Sequence, residues 1–136
     1  MDESLAFAGA AAQAKKLRRR EVSSRELTEM YLARIERIDP ELNSFRDVWA
    51  ASALTEADAA DARLTQSGGG AGADAPLLGV PIAVKDTVDV AGDVTKLGTA
   101  GFDRPAERDS EIVARLRTAG AVILGKTNLP ELAIHG

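Results

Sequence analysis

Lys85 is the residue of this sequence whose type and position most directly suggest chemistry. It follows the apolar run VPIAV at residues 80–84, and such runs are typical of strands covered on both faces of a sheet. Lysine is rarely buried unless it is paired or functional. Burial lowers the pKa of an ammonium group, and a neutral lysine can accept a proton from a serine hydroxyl. The structural alternative is an ion pair with Asp86, Asp89 or a more distant carboxylate at the strand end.

Lys126 is a second lysine in a similar position, because it follows the apolar run AVILG at residues 121–125. It therefore competes with Lys85 as a base. Thr127 and Asn128 come directly after it, and their side chains are expected to hydrogen-bond the turn and support the site. Asn128 could instead cap the helix that follows, since asparagine is a preferred N-cap residue.

The composition excludes several kinds of site. Cysteine is absent, which excludes disulfides and thiol nucleophiles, and the single histidine, His135, cannot build a histidine-rich metal site or a Ser-His-Asp triad with spare histidines. The net charge is −4, and the basic run at residues 15–20 is interpreted as a solvated helix face, so no direct nucleic-acid binding is expected. No apolar run approaches the roughly 20 residues that span a bilayer. The N-terminus also lacks the basic segment of a secretory signal, so a cytoplasmic protein without a membrane partner is predicted.

The first half of the chain is predicted to be mainly helical. A first helix is expected over residues 3–19. A second covers residues 22–40, where Ser23 and Glu26 form a capping-box pattern and Pro40 is expected to end the helix. Residues 43–50 form a short strand candidate, and the alanine-rich residues 51–66 form a third helix that ends at a glycine run.

The second half alternates between strands and helices. A buried strand is predicted over residues 77–84 and another over 121–128, with a helix over residues 108–121 between them. That helix is capped by Asp109 or Ser110, and a short helix starts near Pro130 after the second strand. This order predicts a parallel βαβ unit.

Two motifs in register carry a family resemblance. The segment GVPIAVKDTVDVAG, followed by DSEIVARLRTAGAVILGKTNLPELA, strongly resembles the N-terminal part of the amidase signature enzymes, and SSRELTEMYLARIERIDPELNSF resembles their leading helix. The resemblance covers about residues 5–135 and is strongest over 76–133. It implies an α/β fold in which N-terminal helices lead into the first strands and the βαβ unit of a mixed sheet flanked by helices.

The implied domain is single and incomplete over residues 1–136. Residues 1–66 form its N-terminal helical part, 67–75 a glycine-rich loop and 76–136 the start of the catalytic sheet. The glycine run is not interpreted as a phosphate-binding loop, because it has no Gly-Lys-Ser/Thr and no following helix.

The resemblance implies a specific chemistry. These enzymes hydrolyse amide bonds, or transfer the ammonia, with a Ser–cis-Ser–Lys triad and without a metal or cofactor. The motif lysine matches Lys85, which acts as the final base through a serine held in a cis peptide, while backbone amides of a glycine-rich loop bind the oxyanion. The resemblance assigns Lys126 to scaffolding of the site. Asp86 and Thr99, together with Thr127 and Asn128, are expected to line the pocket or support the site, and His135 is given no role.

The sequence departs from the family pattern at the nucleophile. None of its serines lies in a matching glycine- and serine-rich segment; they are Ser4, Ser23, Ser24, Ser44, Ser52, Ser67 and Ser110. The chain is therefore interpreted as an N-terminal fragment, inactive alone and marginally stable or prone to aggregation. Its expected partners are a small amide substrate in the complete enzyme, and either the remainder of the amidase chain or a complementing subunit. The alternatives are a non-catalytic scaffold derived from an amidase and one subunit of a glutamine-dependent tRNA amidotransferase.

Overall fold

The computed structural model describes residues 3–66 and 74–134. Most of the predicted glycine-rich loop and His135 therefore lie outside the described residues. In chain order the elements are a 3₁₀ helix at Glu3–Phe7, α1 at Ala10–Arg18, α2 at Ser24–Leu42, β1 at Phe45–Val48, α3 at Ala50–Gln66, β2 at Pro81–Lys85, α4 at Glu111–Thr118, β3 at Val122–Thr127 and a second 3₁₀ helix at Glu131–Ala133.

The three strands form one mixed sheet in the order β1-β3-β2. The central strand β3 pairs parallel with β2 and antiparallel with β1. The connection from β2 through α4 to β3 is the predicted parallel βαβ unit, and the predicted α/β class is confirmed. Because β3 lies in the centre, it is flanked by a strand on both sides, which explains its almost continuous burial.

The first helix differs from its prediction. One helix was expected over residues 3–19, but the chain forms a 3₁₀ helix and then α1, separated at Gly9. Gly9 has a φ of 79°, a left-handed conformation that a right-handed helix cannot continue through. The alanine-rich pattern on both sides of Gly9 predicted one helix, whereas Gly9 separates the 3₁₀ helix from α1.

Helix α2 begins as predicted and ends later than predicted. Both hydrogen bonds of the capping box between Ser23 and Glu26 are present. Pro40, however, lies inside the helix. A proline in the last turn removes only one intrahelical hydrogen bond, so the helix continues to Leu42. It ends at Asn43, which has a left-handed φ of 50° and donates its N–H to the carbonyl of Asp39.

The sheet is covered by helices on both sides. On one face, Val122 and Leu124 pack with alanines of α3 and with partly buried side chains of α2. On the other face, Ile123 and Val84 pack with Val113 of α4. As predicted, Ser110 caps α4 through its hydroxyl.

Strand β2 is only partly covered, which corrects the prediction of a strand buried on both faces. It begins at Pro81, because residues 76–79 form a turn instead of the start of the strand. Pro81 and Val84 are buried, whereas Ala83 and Lys85 are exposed. The reason is that β2 is an edge strand: among the described residues only β3 pairs with it, and α2 covers only part of its face.

Candidate functional site at the carboxyl end of strand β2

Lys85 is the last residue of β2 and its side chain is exposed. In the register of the sheet it lies opposite Thr127. Within the described part of the chain its ammonium makes no hydrogen bond or ion pair. The expected burial of Lys85 is therefore wrong for this chain, and the alternative in which it pairs with Asp86 or Asp89 is not observed either.

The buried lysine is Lys126, whose side chain has 0% exposure. Its Nζ lies 3.1 Å from Oδ1 of Asp86 and donates to it, and a second hydrogen bond of 3.2 Å reaches the hydroxyl of Thr95. An oxygen of Asp93 lies 3.5 Å away. An ammonium with these partners is compensated for the loss of water. The role of Lys126 in the structure is thus that of an ion-paired scaffold residue.

A bulge in β3 determines the face on which Lys126 lies. Ile82 pairs with Ile123, but two residues later Val84 pairs with Lys126, three residues further along β3. The extra residue in β3 returns Lys126 to the face occupied by Ile123. Gly125 is required there, because its φ is 151° and a Cβ would lie 2.1 Å from the carbonyl oxygen of Asp47.

Arg46 of β1 completes a charge cluster, which we define as Arg46, Asp86, Asp93 and Lys126; Asp86 and Lys126 are buried, and Arg46 and Asp93 are partly buried. Its guanidinium donates to Asp93, and its Nε lies 3.4 Å from a carboxylate oxygen of Asp86 without forming a hydrogen bond. Two cations therefore face two carboxylates within the cluster, and Arg46 also lies 3.1 Å from a carboxylate oxygen of Asp47 outside it. The cluster links β1, β3 and the segment that follows β2, so it holds together the end of the sheet at which Lys85 lies.

Asp86 is held at its backbone and at its side chain. Its N–H donates to the carbonyl of Thr127 over 3.1 Å, and its own carbonyl accepts from the N–H of Leu97. Its carboxylate, 1% exposed, accepts from Lys126 and from the backbone N–H of Lys96. This geometry gives Asp86 a supporting position on the face opposite Lys85, which is compatible with its predicted role as a site-supporting residue.

Thr127 and Asn128 lie where β3 meets the end of α2. Thr127 is half-buried between Lys85 and Phe45 in the register of the sheet. The side-chain amide of Asn128 donates to the carbonyl of Asn43 over 2.9 Å. Asn128 does not cap the following 3₁₀ helix, because Pro130 holds that position.

Thr99 lies in a turn of the loop between β2 and α4. Its N–H donates to the carbonyl of Lys96. The preceding Gly98 packs so tightly that a Cβ would lie 2.7 Å from the carbonyl oxygen of Leu129. A polar hollow of about 630 Å³ opens beside the loop, lined in part by Thr87 and Phe102, and Thr99 is not among its lining residues.

An apolar hollow lies on the same face of β2 as Lys85. It has a volume of about 330 Å³ and is lined by Pro81, Ile82 and Ala83 of β2 and by side chains of α2 that include Leu42. Side chains alternate along a strand, so Pro81, Ala83 and Lys85 share a face. The hollow and Lys85 therefore lie on the same face of β2, although Lys85 does not line the hollow.

In the ranges 3–66 and 74–134, no group of three or more His, Cys, Asp or Glu residues is arranged to hold a metal ion. No helix in the same ranges has the length and apolar character needed to cross a membrane.

The sequence interpretation did not identify Asp93 and Thr95 as partners of Lys126, or Arg46 as a partner of Asp86 and Asp93. Two signals pointed to them. A glycine inside an apolar strand, here Gly125, indicates a bulge, and a lysine that ends a fully buried central strand requires compensating carboxylates. Arg46 and Asp93 are far from Lys126 in the sequence, and only the tertiary fold brings these residues into one cluster.

Comparison with known proteins identifies a matching family. The sequence model of the family described as Amidase matches residues 26–136. AmiB2 of Mycobacterium tuberculosis, which bears an amidase name, is 55% identical over 130 residues; these cover 96% of this chain and 27% of that protein. A glutamyl-tRNA(Gln) amidotransferase subunit from Nitrosococcus oceani is 47% identical over 122 residues and is covered over 24% of its length.

The fold also has a close counterpart among solved structures. The native peptide amidase from Stenotrophomonas maltophilia superposes with a TM-score of 0.80 at 33% sequence identity, over 91% of this chain and 25% of that chain. The chain therefore spans about a quarter of the length of the relatives it matches.

Proposed function

Because this chain belongs to the amidase family, we propose that it supplies the lysine base of an enzyme that cleaves carbon–nitrogen amide bonds. The observation that carries the proposal is the position of Lys85, which ends the GVPIAVK segment with an unengaged ammonium on an open surface of the described chain. The proposed substrate is a small amide and the proposed location is the cytoplasm.

In the proposed reaction, Lys85 in its neutral form accepts a proton from a relay serine. The relay serine takes the proton of a nucleophilic serine, whose oxygen attacks the amide carbonyl. The C–N bond then breaks, the leaving nitrogen receives the proton, and water hydrolyses the acyl ester. A lysine becomes neutral more readily when apolar surface excludes water from it. The apolar hollow on the same face of β2 as Lys85 supports such a covering by a further segment.

Four of the described serines make hydrogen bonds within the fold and are not proposed as the two serines of this scheme. Ser23 and Ser110 cap helices, the hydroxyl of Ser24 donates to the carbonyl of Gly79, and that of Ser52 donates to the carbonyl of Trp49. We therefore propose that the serines belong to the remainder of an amidase, which pairs with the free edge of β2 and fills the apolar hollow. On this proposal the 136 residues do not hydrolyse amides by themselves.

A second candidate is an amidotransferase role, in which ammonia released from glutamine is passed on. The 47% identity to the amidotransferase protein of Nitrosococcus oceani supports it. The 55% identity to AmiB2 favours the amidase. A candidate of another class is a non-catalytic scaffold, in which the same surface binds an amidase chain without contributing a base.

Substitution of Lys85 in the complete amidase that contains this chain tests the proposal. The measurement is ammonia release from a panel of simple carboxamides and from glutamine. We expect Lys85→Met to lower kcat by about 100- to 10,000-fold, the usual contribution of a general base. Lys85→Arg should be equally inactive, because guanidinium keeps the positive charge but does not release its proton.

Lys15→Met is the matched control. It removes an exposed ammonium from α1, outside the proposed site, and should therefore keep full activity. Activity of Lys85→Arg close to that of the unmodified enzyme would exclude Lys85 as the base and favour the scaffold. Hydrolysis confined to glutamine would favour the amidotransferase.

A further inference from the structure

Lys126 and Lys85 lie on opposite faces of the same end of the sheet. In the register, Val84 lies opposite Lys126 and Lys85 lies opposite Thr127. Side chains alternate along a strand, and a slip of one residue moves each of them to the other face. Whatever fixes Asp86 and Val84 on one face therefore also fixes Lys85 on the other.

Asp86 connects the charge cluster to the end of β2. Its carboxylate binds Lys126 at 3.1 Å, while its backbone N–H continues the ladder to the carbonyl of Thr127. Lys126 is itself held in the central strand and has 0% exposure. The residue directly after Lys85 is thus tied, at side chain and backbone, to two consecutive residues of β3.

We infer that Lys126 is a positioning residue for Lys85: by holding Asp86 on the far face of the sheet, it fixes where the Lys85 ammonium stands. This inference rests on the proposed function, in which Lys85 is the base. It assigns Lys126 no proton transfer. The bulge at Gly125 contributes to this positioning, because it brings Lys126 onto the face of the sheet on which Asp86 lies.

The charge balance of the cluster provides a variant that separates position from stability. Lys126→Met leaves the buried carboxylate of Asp86 and the partly buried carboxylate of Asp93 without the Lys126 ammonium, and removing one partner of a buried ion pair destabilises a protein strongly. The double variant Lys126→Met/Asp86→Asn removes one charge of each sign and leaves Arg46 paired with Asp93. It should unfold at a temperature closer to that of the unmodified protein, yet it still lacks the side-chain ion pair between Lys126 of β3 and residue 86, while the backbone hydrogen bond to Thr127 remains.

The experiment compares both variants and Lys15→Met with the unmodified complete amidase, well below the lowest unfolding temperature. We expect the double variant to lose about 100-fold in kcat, the usual cost of misplacing a reacting group by about 1 Å, with KM changed less than about threefold. Hydrogen exchange followed by mass spectrometry should show faster exchange in peptides covering residues 81–90 and unchanged exchange in α2.

A double variant with unmodified kcat and unmodified exchange at residues 81–90 would overturn the inference. So would a variant that regains its stability and its activity together, since that would make Lys126 a residue of stability alone. If the unmodified protein releases no ammonia from any amide, the proposed function fails instead. Slower or unchanged exchange at residues 81–90 would then still reject the positioning role.

Discussion

Gly125 determines, as a single residue, which face of the sheet Lys126 occupies. Its backbone conformation has a φ of 151°, and its missing Cβ leaves room for the carbonyl of Asp47. The same residue creates the extra step in β3 that aligns Lys126 with Val84. A residue without a functional group therefore places the ion pair at the end of β2.

Gly125→Ala should destabilise the protein more than any other single-methyl change in the sheet. A Cβ would lie 2.1 Å from a backbone oxygen, so one of the strands must move. Overpacking costs about 1–3 kcal/mol, and we expect the upper end of that range. Gly92→Ala is the control, because Gly92 also has a positive φ of 82° but has open space around it. Urea denaturation measures both, and an equal loss at the two positions would contradict this account.

The sequence identified Lys85 and Lys126 as the two lysines of interest and predicted a buried strand at each, but the expected burial of Lys85 was wrong. Both end an apolar run, and the run alone does not reveal which strand is central. The position of β3 between two strands buries Lys126, whereas β2 at the edge leaves Lys85 exposed. Strand order is a property of tertiary structure, so this distinction was not available from the local pattern.

Helix α2 shows how far local sequence rules determine an element. Its capping pair, Ser23 and Glu26, was predicted correctly, because a capping box is satisfied entirely by neighbours in the chain. Its end was predicted too early, since termination depends on the left-handed Asn43 and on the carboxylate of Asp39, which accepts from the N–H of Ser44. The prediction of one continuous helix over residues 3–19 was also wrong, because the positive φ of Gly9 separates the first 3₁₀ helix from α1.

The capping box also makes the stability of α2 depend on pH. The backbone N–H of Ser23 donates to the carboxylate of Glu26, and this bond lowers the pKa of Glu26 below its ordinary value of 4.5. A carboxyl group whose pKa falls on folding stabilises the folded state above its unfolded pKa, and this contribution is lost as the pH falls through the folded pKa. Glu26 is exposed, so solvent screening keeps the effect small.

Glu26→Gln should therefore make the free energy of unfolding fall less steeply as the pH drops below 4.5. Ser23→Ala should cost about 1 kcal/mol, because it removes the hydroxyl that accepts from the N–H of Glu26. Urea midpoints measured from about pH 6 down to about pH 3 test both changes. Glu29→Gln on the same helix is the control, and the same less steep fall in that variant would remove the capping box as the cause.

The open surface of the whole molecule runs from the free edge of β2 across the apolar hollow to the end of α2. Among the described residues, only β3 pairs with β2, and Ala83 is exposed on its uncovered face. Unpaired strand edges next to apolar surface promote association. The chain spans about a quarter of its relatives, so this surface is the one on which we propose that the rest of an amidase packs.

The isolated 136 residues should self-associate through this surface, and Leu42 provides the test. Leu42 lines the hollow and is 65% exposed, whereas Ile112 on α4 is 60% exposed and does not line it. Burying a leucine side chain contributes about 1.5–3 kcal/mol, so Leu42→Gln should raise the dissociation constant of self-association by about tenfold or more. Ile112→Gln, a change of matched exposure and chemistry, should leave it unchanged. Sedimentation velocity over a range of concentrations measures all three proteins. A monomeric unmodified chain at every concentration, or equal effects at Leu42 and Ile112, would show that the hollow does not drive association.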